Sequence, residues 1–163
     1  MDRLWSPWRY RYVAEGVASE KCIFCEKAAS KDDDANLIVF RGIHCYVVLN
    51  LYPYTNGHLM VVPYAHVDSL AAAPAEAAQE MMTLARTAES ALRRTYNPGG
   101  INLGMNLGEC AGAGVAGHIH MHVLPRWYGD SNFMSVVGET RVLVEELAVT
   151  RARLHEAFRQ LSA

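Results

Sequence analysis

Hydrophobic and polar positions predict a group of β-strands in the first half of the chain. Apolar runs rich in β-branched residues occupy 37–40 (LIVF), 43–50 (IHCYVVLN) and 58–64 (HLMVVPY), a pattern typical of strands. The connection between the second and third runs, LYPYTNG, is rich in turn-forming residues. We therefore predict an antiparallel hairpin centred near Thr55.

The spacing of apolar residues then changes to that of a helix that begins near Pro74. Its apolar stripe consists of Met81, Leu84, Ala85, Ala88 and Leu92. Two more strands are predicted, at 101–107 (INLGMNL) and 117–127 (GHIHMHVLPRW).

A second amphipathic helix is expected from about Val136 to Leu161, and it makes residues 137–163 a C-terminal helical segment. One face of this helix carries Leu143, Leu147, Leu154 and Phe158. The order β-β-β-α-β-β-α, with tight turns between neighbouring strands, predicts an α+β domain with an antiparallel sheet of about five strands and two main helices.

Composition fits one globular domain, residues 1–163, in which 51% of residues are hydrophobic and 20% are charged. The aromatic and basic residues 1–21 are expected to form an N-terminal arm that packs on the domain surface or contacts a nucleotide. The net charge of −2 gives no reason to expect nucleic-acid binding. We see no apolar run of membrane-spanning length and no signal-peptide pattern, so we expect a cytoplasmic protein without a membrane partner.

Three histidines alternate with apolar residues in the segment 117–127. Because alternate side chains of a strand share a face, His118, His120 and His122 are predicted to point the same way. The residues predicted to face the core are Ile119, Met121 and Val123. Three interpretations compete at this point: a metal site, a nucleophilic histidine with two helpers, or a coincidence on one strand face.

The residues before this strand favour the nucleophile. The strand and its loop offer only Glu109 as a carboxylate for a catalytic metal, whereas glycines allow backbone N–H groups to approach an anion. These glycines are Gly108, Gly112, Gly114 and Gly117. A neutral imidazole can attack phosphorus if its other nitrogen is held protonated. We therefore predict a phosphate-binding loop beside a nucleophilic histidine.

The run HIHMHVL matches the His-φ-His-φ-His-φ-φ signature of the histidine triad (HIT) superfamily of nucleotide hydrolases and transferases. NGHLMVVPYAH and GMNLGECAGAGVAGHIHMHVLPRW also resemble the family's strand–turn–strand and its phosphate loop with the catalytic strand. Order and spacing agree over roughly residues 20–128. The chain is therefore identified as a member of this superfamily, which implies a HIT-like fold and a homodimer.

The resemblance implies roles for four histidines. His120, the middle histidine, would be the nucleophile, and His122 would contact the α-phosphate. His118 would support and orient the site, and His58 would lie behind the triad in hydrogen-bond contact with it.

The resemblance also implies substrate contacts. Asn50 falls where the family binds ribose hydroxyls, and Asn106 falls where an asparagine contacts phosphate. Trp127 would lie near the nucleotide or the acceptor phosphate. The loop residues expected near the phosphates are Gly112, Gly114 and Val115. Many relatives carry Gln, Ser or Thr at the position of Gly114 or Val115, so leaving-group assistance is expected from backbone amides, His118 or water.

The retained His122 separates this chain from the uridylyltransferase branch, which has Gln there. The surrounding runs resemble bacterial diadenosine tetraphosphate phosphorylases and their hydrolase relatives. The resemblance implies cleavage of a dinucleoside polyphosphate at the α-phosphate through a nucleotidyl-histidine, with water or inorganic phosphate as acceptor. A nucleoside phosphoramidase, a nucleotide-binding sensor with little turnover and a triad that binds catalytic metal remain alternatives.

A second cluster is predicted around the C-x-x-C pair Cys22 and Cys25. In a hairpin centred on Thr55, His44 and His66 face each other with Cβ atoms about 5 Å apart. The four residues would form a closed Cys₂His₂ set that holds one structural zinc ion per chain, as in some bacterial histidine triad proteins. A redox C-x-x-C is the alternative, but no thioredoxin-like βαβ pattern follows it. No organic cofactor is expected.

Overall fold

A computed structural model describes residues 21–130 and 144–161 of the protein. The strands in these residues are Ile38–Arg41 (β1), Cys45–Leu49 (β2), Leu59–Pro63 (β3), Gly100–Met105 (β4) and Met121–Arg126 (β5). These five strands form one antiparallel sheet in the order β1-β2-β3-β5-β4. The predicted α+β class and five-stranded antiparallel sheet are confirmed. The N-terminal arm lies outside the described residues, apart from Lys21.

Within the described residues, three α-helices accompany the sheet: α1 (Ile23–Ala29), α2 (Ala75–Tyr96) and α3 (Leu147–Leu161). The two long ones correspond to the predicted main helices, whereas α1 was not predicted. The predicted start of the C-terminal helix, up to residue 143, lies outside the described residues. Residues 144–146 are not helical, so the described helix begins later than the pattern suggested. None of the described helices is both long and apolar enough to cross a membrane.

The sheet has an apolar layer on each face. Helices α2 and α3 cover one face, where Val47, Val61 and Val123 are fully buried. Ile119 and Met121 pack in or against the same layer, as the alternation predicted. The other face carries Tyr46, Val48 and Met60 beneath Phe24 of α1. The histidines that alternate with Ile119, Met121 and Val123 therefore belong to the α1 side of the sheet.

The predicted register of the hairpin formed by β2 and β3 is wrong by one position at its centre. Cys45 pairs with Pro63 and Leu49 with Leu59, which centres the hairpin on residue 54 rather than 55. A shift of one residue at the centre moves every cross-strand pair by two. His44 is consequently opposite Tyr64, whose backbone N–H donates to the His44 carbonyl at 2.8 Å, and it does not face His66.

Glu80 joins α2 to the turn between β1 and β2. Its carboxylate accepts hydrogen bonds from the backbone N–H groups of Ile43 (2.8 Å), His44 (2.5 Å) and Cys45 (2.7 Å). Burial raises the pKa of Glu80, but these three donors outweigh burial and lower the pKa below its usual value. The carboxylate therefore stabilises the turn in its ionised form.

Glu145 makes a similar junction between α2 and α3. It accepts hydrogen bonds from the Tyr96 hydroxyl (2.5 Å), the Thr150 hydroxyl (2.7 Å) and the Arg153 guanidinium (2.5 Å). Burial raises the pKa of Glu145, yet the three donors lower it to about 2. The ionised carboxylate thus links the two long helices.

Candidate active site

The triad histidines lie at the start of β5, on the α1 side of the sheet. The strand begins at Met121, so His118 and His120 come from the extended segment that leads into it. All three are buried, with relative exposures of 0%, 5% and 9% for His118, His120 and His122. His122 pairs with Met60 on β3, and the neighbouring His58 immediately precedes that strand. The fold therefore brings the four predicted histidines together.

The ring of His120 is oriented by its own backbone. Its Nδ1 lies 3.0 Å from the His118 carbonyl oxygen. Because a carbonyl only accepts hydrogen bonds, Nδ1 of a neutral ring must carry the hydrogen. The lone pair is then on Nε2, which is the form that a nucleophilic imidazole requires.

His58 and His122 form a directional hydrogen-bond chain. The Tyr54 backbone N–H donates to His58 Nδ1 at 3.2 Å, and His58 Nε2 lies 2.9 Å from His122 Nδ1. Since His58 Nδ1 accepts, its Nε2 carries the hydrogen and donates to His122. The remaining hydrogen of a neutral His122 is therefore on Nε2, where it can be donated to a ligand.

Burial makes the triad histidines poor bases. Desolvation lowers the pKa values of His118 and His120, and the hydrogen bonds to the Pro63 and His118 carbonyls oppose this only in part. Desolvation, followed by the proximity of His120, lowers the pKa of His122 to about 4. The rings are neutral at neutral pH, which agrees with the tautomers that their hydrogen bonds require.

A second cluster, which we call the Cys₂His₂ cluster, consists of Cys22, Cys25, His66 and His118. Their ligand atoms all lie within 4.8 Å of one another. Three of these residues were predicted as metal ligands, but His118 replaces the predicted His44. His44 is exposed, and the observed hairpin register separates it from His66. The register is therefore the physical reason why His44 does not join the cluster.

The distances inside the cluster suit a tetrahedral ion. His118 Nδ1 lies 3.2 Å from Cys22 Sγ and 3.6 Å from Cys25 Sγ, and His66 Nδ1 lies 3.4 Å from Cys25 Sγ. Zinc bonds of about 2.3 Å to sulfur and about 2.0 Å to nitrogen place S and N about 3.5 Å apart at the tetrahedral angle. His118 Nε2 donates to the Pro63 carbonyl at 2.9 Å, which leaves Nδ1 as the ligand atom.

Unlike a thiolate bound to a cation, the Cys25 thiol by itself is hard to ionise. Burial, followed by the hydrogen bond and charge of Cys22, raises the pKa of Cys25. With two sulfurs and two imidazoles, the donor set is one that zinc prefers. The residues present therefore fit a structural metal ion.

The loop between β4 and β5 lies next to the triad. Gly104 pairs with His122, and two residues further on the Asn106 amide donates to the Gly112 carbonyl at 3.3 Å. Gly108 and Gly112 have φ angles of 85° and 92°, which L side chains rarely adopt. Glycine is therefore required for this loop shape.

The other predicted substrate contacts have different surroundings. Gly114 is exposed, and Val115 packs against the apolar layer under α1; neither side chain offers a proton. Asn50 directly follows β2, beside His58. Trp127 lines a cavity of about 470 Å³ with Thr55, Tyr96 and other residues, none of which is a triad histidine.

Two aromatic residues near the site were missed by the sequence reasoning. Phe24, only 2% exposed, places its ring centroid 5.5 Å from that of His118 and 4.9 Å from that of His120. The ring centroid of Tyr54 lies 4.8 Å from that of His58 and 6.1 Å from that of His122, on which the Tyr54 ring stacks. No sequence signal placed Phe24 at the triad, because the predicted metal ligands did not include a triad histidine.

Comparison with known proteins assigns the family. Residues 31–128 match the family model for the HIT domain. A protein of Mycobacterium tuberculosis named AP-4-A phosphorylase is 40% identical over 162 residues, covering 94% of this chain and 83% of the relative. The protein Hit of Bacillus subtilis is 32% identical over 122 residues, covering 75% of this chain and 81% of that protein. The chain belongs to the HIT family and is a nucleotide-processing enzyme of that family.

Solved structures agree with this assignment. A zinc-bound histidine triad family protein from Mycobacterium smegmatis superposes with a TM-score of 0.70 at 26% identity, covering 87% of this chain and 96% of that chain. A HIT family protein from Bacillus subtilis superposes with a TM-score of 0.59 at 31% identity, covering 66% and 74% respectively. The fold is therefore that of HIT proteins.

Proposed function

We propose that this enzyme cleaves dinucleoside polyphosphates of the diadenosine tetraphosphate type at the α-phosphate, through a nucleotidyl-histidine on His120. The observation that carries this proposal is the 3.0 Å contact between His120 Nδ1 and the His118 carbonyl. This contact directs the ring lone pair to Nε2. The similarity to the mycobacterial AP-4-A phosphorylase over 94% of the chain supports the substrate class.

In the first step, His120 Nε2 attacks the α-phosphorus of diadenosine tetraphosphate. The new N–P bond forms as the P–O bond to the β-phosphate breaks, and ATP leaves. A neutral His122 stabilises a phosphoryl oxygen by donating its Nε2–H rather than by carrying a positive charge. Such a preorganised donor typically contributes a factor of about 10²–10³ in rate. Asn106 and the amides of the β4–β5 loop are the other proposed donors.

In the second step, an acceptor oxygen attacks the same phosphorus and the N–P bond breaks. Water yields AMP, whereas inorganic phosphate yields ADP. The side chains of Gly114 and Val115 cannot protonate a leaving group, so ATP leaves as an anion that hydrogen bonds stabilise. A phosphoramidate substrate, whose amine must be protonated as it leaves, is expected to react more slowly.

We also propose that the Cys₂His₂ cluster holds one structural zinc ion. The donor types and separations support this metal, and the ion would connect α1 to the segment that bears the triad. A zinc ion held by these four protein ligands would have a closed coordination sphere, so it would stabilise the fold and would supply no chemistry to the reaction. The family resemblance further supports a homodimer, which the mass in solution would test.

Product analysis tests the proposed function. Purified protein is incubated with diadenosine tetraphosphate, with and without inorganic phosphate, beside His120→Ala as the control. ADP plus ATP only in the presence of phosphate identifies a phosphorylase, and AMP plus ATP without phosphate identifies a hydrolase. Binding of the substrate without turnover by the wild type, or full activity of His120→Ala, would contradict the proposal. The first of these results would favour a nucleotide sensor.

A further inference from the structure

The Asn50 side chain has a defined orientation in the turn that follows β2. The Tyr52 backbone N–H donates to Asn50 Oδ1 at 3.0 Å. Because a backbone N–H only donates, the accepting atom must be the amide oxygen. The amide nitrogen, Nδ2, then lies 3.3 Å from His58 Nδ1.

This orientation determines the direction of the hydrogen bond to His58. An amide nitrogen only donates, so His58 Nδ1 must accept. The Tyr54 backbone N–H approaches the same nitrogen at 3.2 Å. Both donors therefore require that the hydrogen of a neutral His58 is on Nε2. This nitrogen lies 2.9 Å from His122 Nδ1.

We propose that Asn50 is a positioning residue that, together with the Tyr54 backbone N–H, holds His58 in the tautomer with hydrogen on Nε2 and, through it, makes His122 present an N–H to the phosphoryl group. This inference rests on the proposed function, since it explains how His122 donates in that reaction. It differs from the role in ribose binding that the family resemblance implies, because the contact that matters is with His58 and is made without a ligand.

The opposite tautomer would impair the reaction. If His58 carried its hydrogen on Nδ1, its Nε2 would accept from His122 Nδ1–H. His122 would then offer the Nε2 lone pair to an anionic phosphoryl oxygen, which is repulsive. A histidine in the wrong tautomer is known to reduce kcat strongly in other catalytic sites.

The isosteric variant Asn50→Asp tests this inference. Its second carboxylate oxygen would face His58 Nδ1 and can only accept, so it favours hydrogen on Nδ1. The matched variant Asn50→Ala removes the side-chain donor but keeps the Tyr54 backbone donor. Imidazole ¹⁵N NMR at pH 8, without substrate, reports the tautomer of His58 directly, whether or not the enzyme is active.

We expect hydrogen on Nε2 of His58 in the wild type and in Asn50→Ala, and on Nδ1 in Asn50→Asp. We expect kcat to fall about 100-fold in Asn50→Asp, the typical loss of one preorganised donor, and far less in Asn50→Ala, which keeps the tautomer. The loss in Asn50→Asp should persist at high salt, whereas simple repulsion between the new charge and the substrate would be screened.

Three results would overturn the inference. Hydrogen on His58 Nδ1 in the wild type would refute the tautomer assignment. A reversed tautomer in Asn50→Asp with unchanged kcat would show that the tautomer does not matter for catalysis. A raised KM in Asn50→Ala, together with a nearly normal Asn50→Asp enzyme, would identify Asn50 as a ribose ligand. Failure of the proposed function is distinguished by the absence of turnover in the wild type with the expected tautomer intact.

Discussion

Substitution of Glu80 by Gln tests whether one carboxylate joins α2 to the sheet. In the native protein, one oxygen accepts from Ile43 and the other from His44 and Cys45. Glutamine has the same shape but only one accepting atom. Whichever way its amide turns, at least one backbone N–H faces another donor, and the remaining hydrogen bonds lose their charge.

The magnitude follows from these three hydrogen bonds. A hydrogen bond to a charged group contributes about 1.5–3 kcal/mol, and a neutral one about 1 kcal/mol. Loss of one bond and weakening of two gives a cost of about 2–3 kcal/mol, because the turn is partly exposed. Small domains are typically stable by about 5–15 kcal/mol, so the effect is measurable.

Urea denaturation of the wild type and Glu80→Gln measures this cost as a difference in the free energy of unfolding. Because the pKa of Glu80 is depressed in the folded state, its stabilisation is complete above the ordinary value of 4.5 and is lost as pH falls through the folded pKa. The difference between the two proteins should therefore be constant near neutral pH and should shrink in acid.

Glu89→Gln on the same helix is the matched control. Its exposed ion pair with Arg93, at 2.9 Å, contributes only about 0.3–0.5 kcal/mol. Equal costs for Glu80→Gln and Glu89→Gln, or a Glu80→Gln cost that does not change with pH, would refute the reasoning.

Three further outcomes are expected. Elemental analysis should find one bound metal ion per chain in the wild type and in His44→Ala but none in Cys25→Ala; loss of metal in His44→Ala would instead identify His44 as a ligand. The wild type should lose more stability between pH 4.5 and 2 than Glu145→Gln, because the folded pKa of Glu145 is about 2 and its stabilisation disappears as pH falls through that value; parallel acid denaturation curves would argue against this. Gly57→Ala should destabilise the protein by about 1–3 kcal/mol, since φ is 79° and an added Cβ would lie 3.1 Å from the Leu92 side chain, whereas Gly104→Ala, with open space at its Cβ, should leave the melting temperature nearly unchanged.

Much of the fold followed from the sequence because strand alternation reports directly on burial. Ile119 and Val123 were expected in the core from their spacing alone, and both are buried there. The order of strands and long helices could likewise be predicted, because the spacing of apolar residues changes from that of a strand to that of a helix. Helix α1 was not, because seven residues around a C-x-x-C pair carry too little periodicity to identify a helix.

The Cys₂His₂ cluster shows where reasoning from sequence failed. The turn after β2 determines the hairpin register, and the Asn50 side chain stabilises that turn through the Tyr52 N–H. This contact depends on the three-dimensional course of the chain, so apolar spacing located the hairpin but not its register. As a result, His44 was predicted as a ligand in place of His118, and the contact between a triad histidine and the cysteines was missed.

A search for the covalent nucleotidyl-histidine tests the proposed reaction at its first step. The enzyme is mixed with diadenosine tetraphosphate, quenched at alkaline pH within one turnover because the N–P bond is labile in acid, and analysed by intact and peptide mass spectrometry. We expect one AMP group on the peptide that contains His120 and none on the corresponding peptide of His120→Ala. Turnover by the wild type without any adduct under these conditions, or the same adduct in His120→Ala, would contradict the proposed reaction.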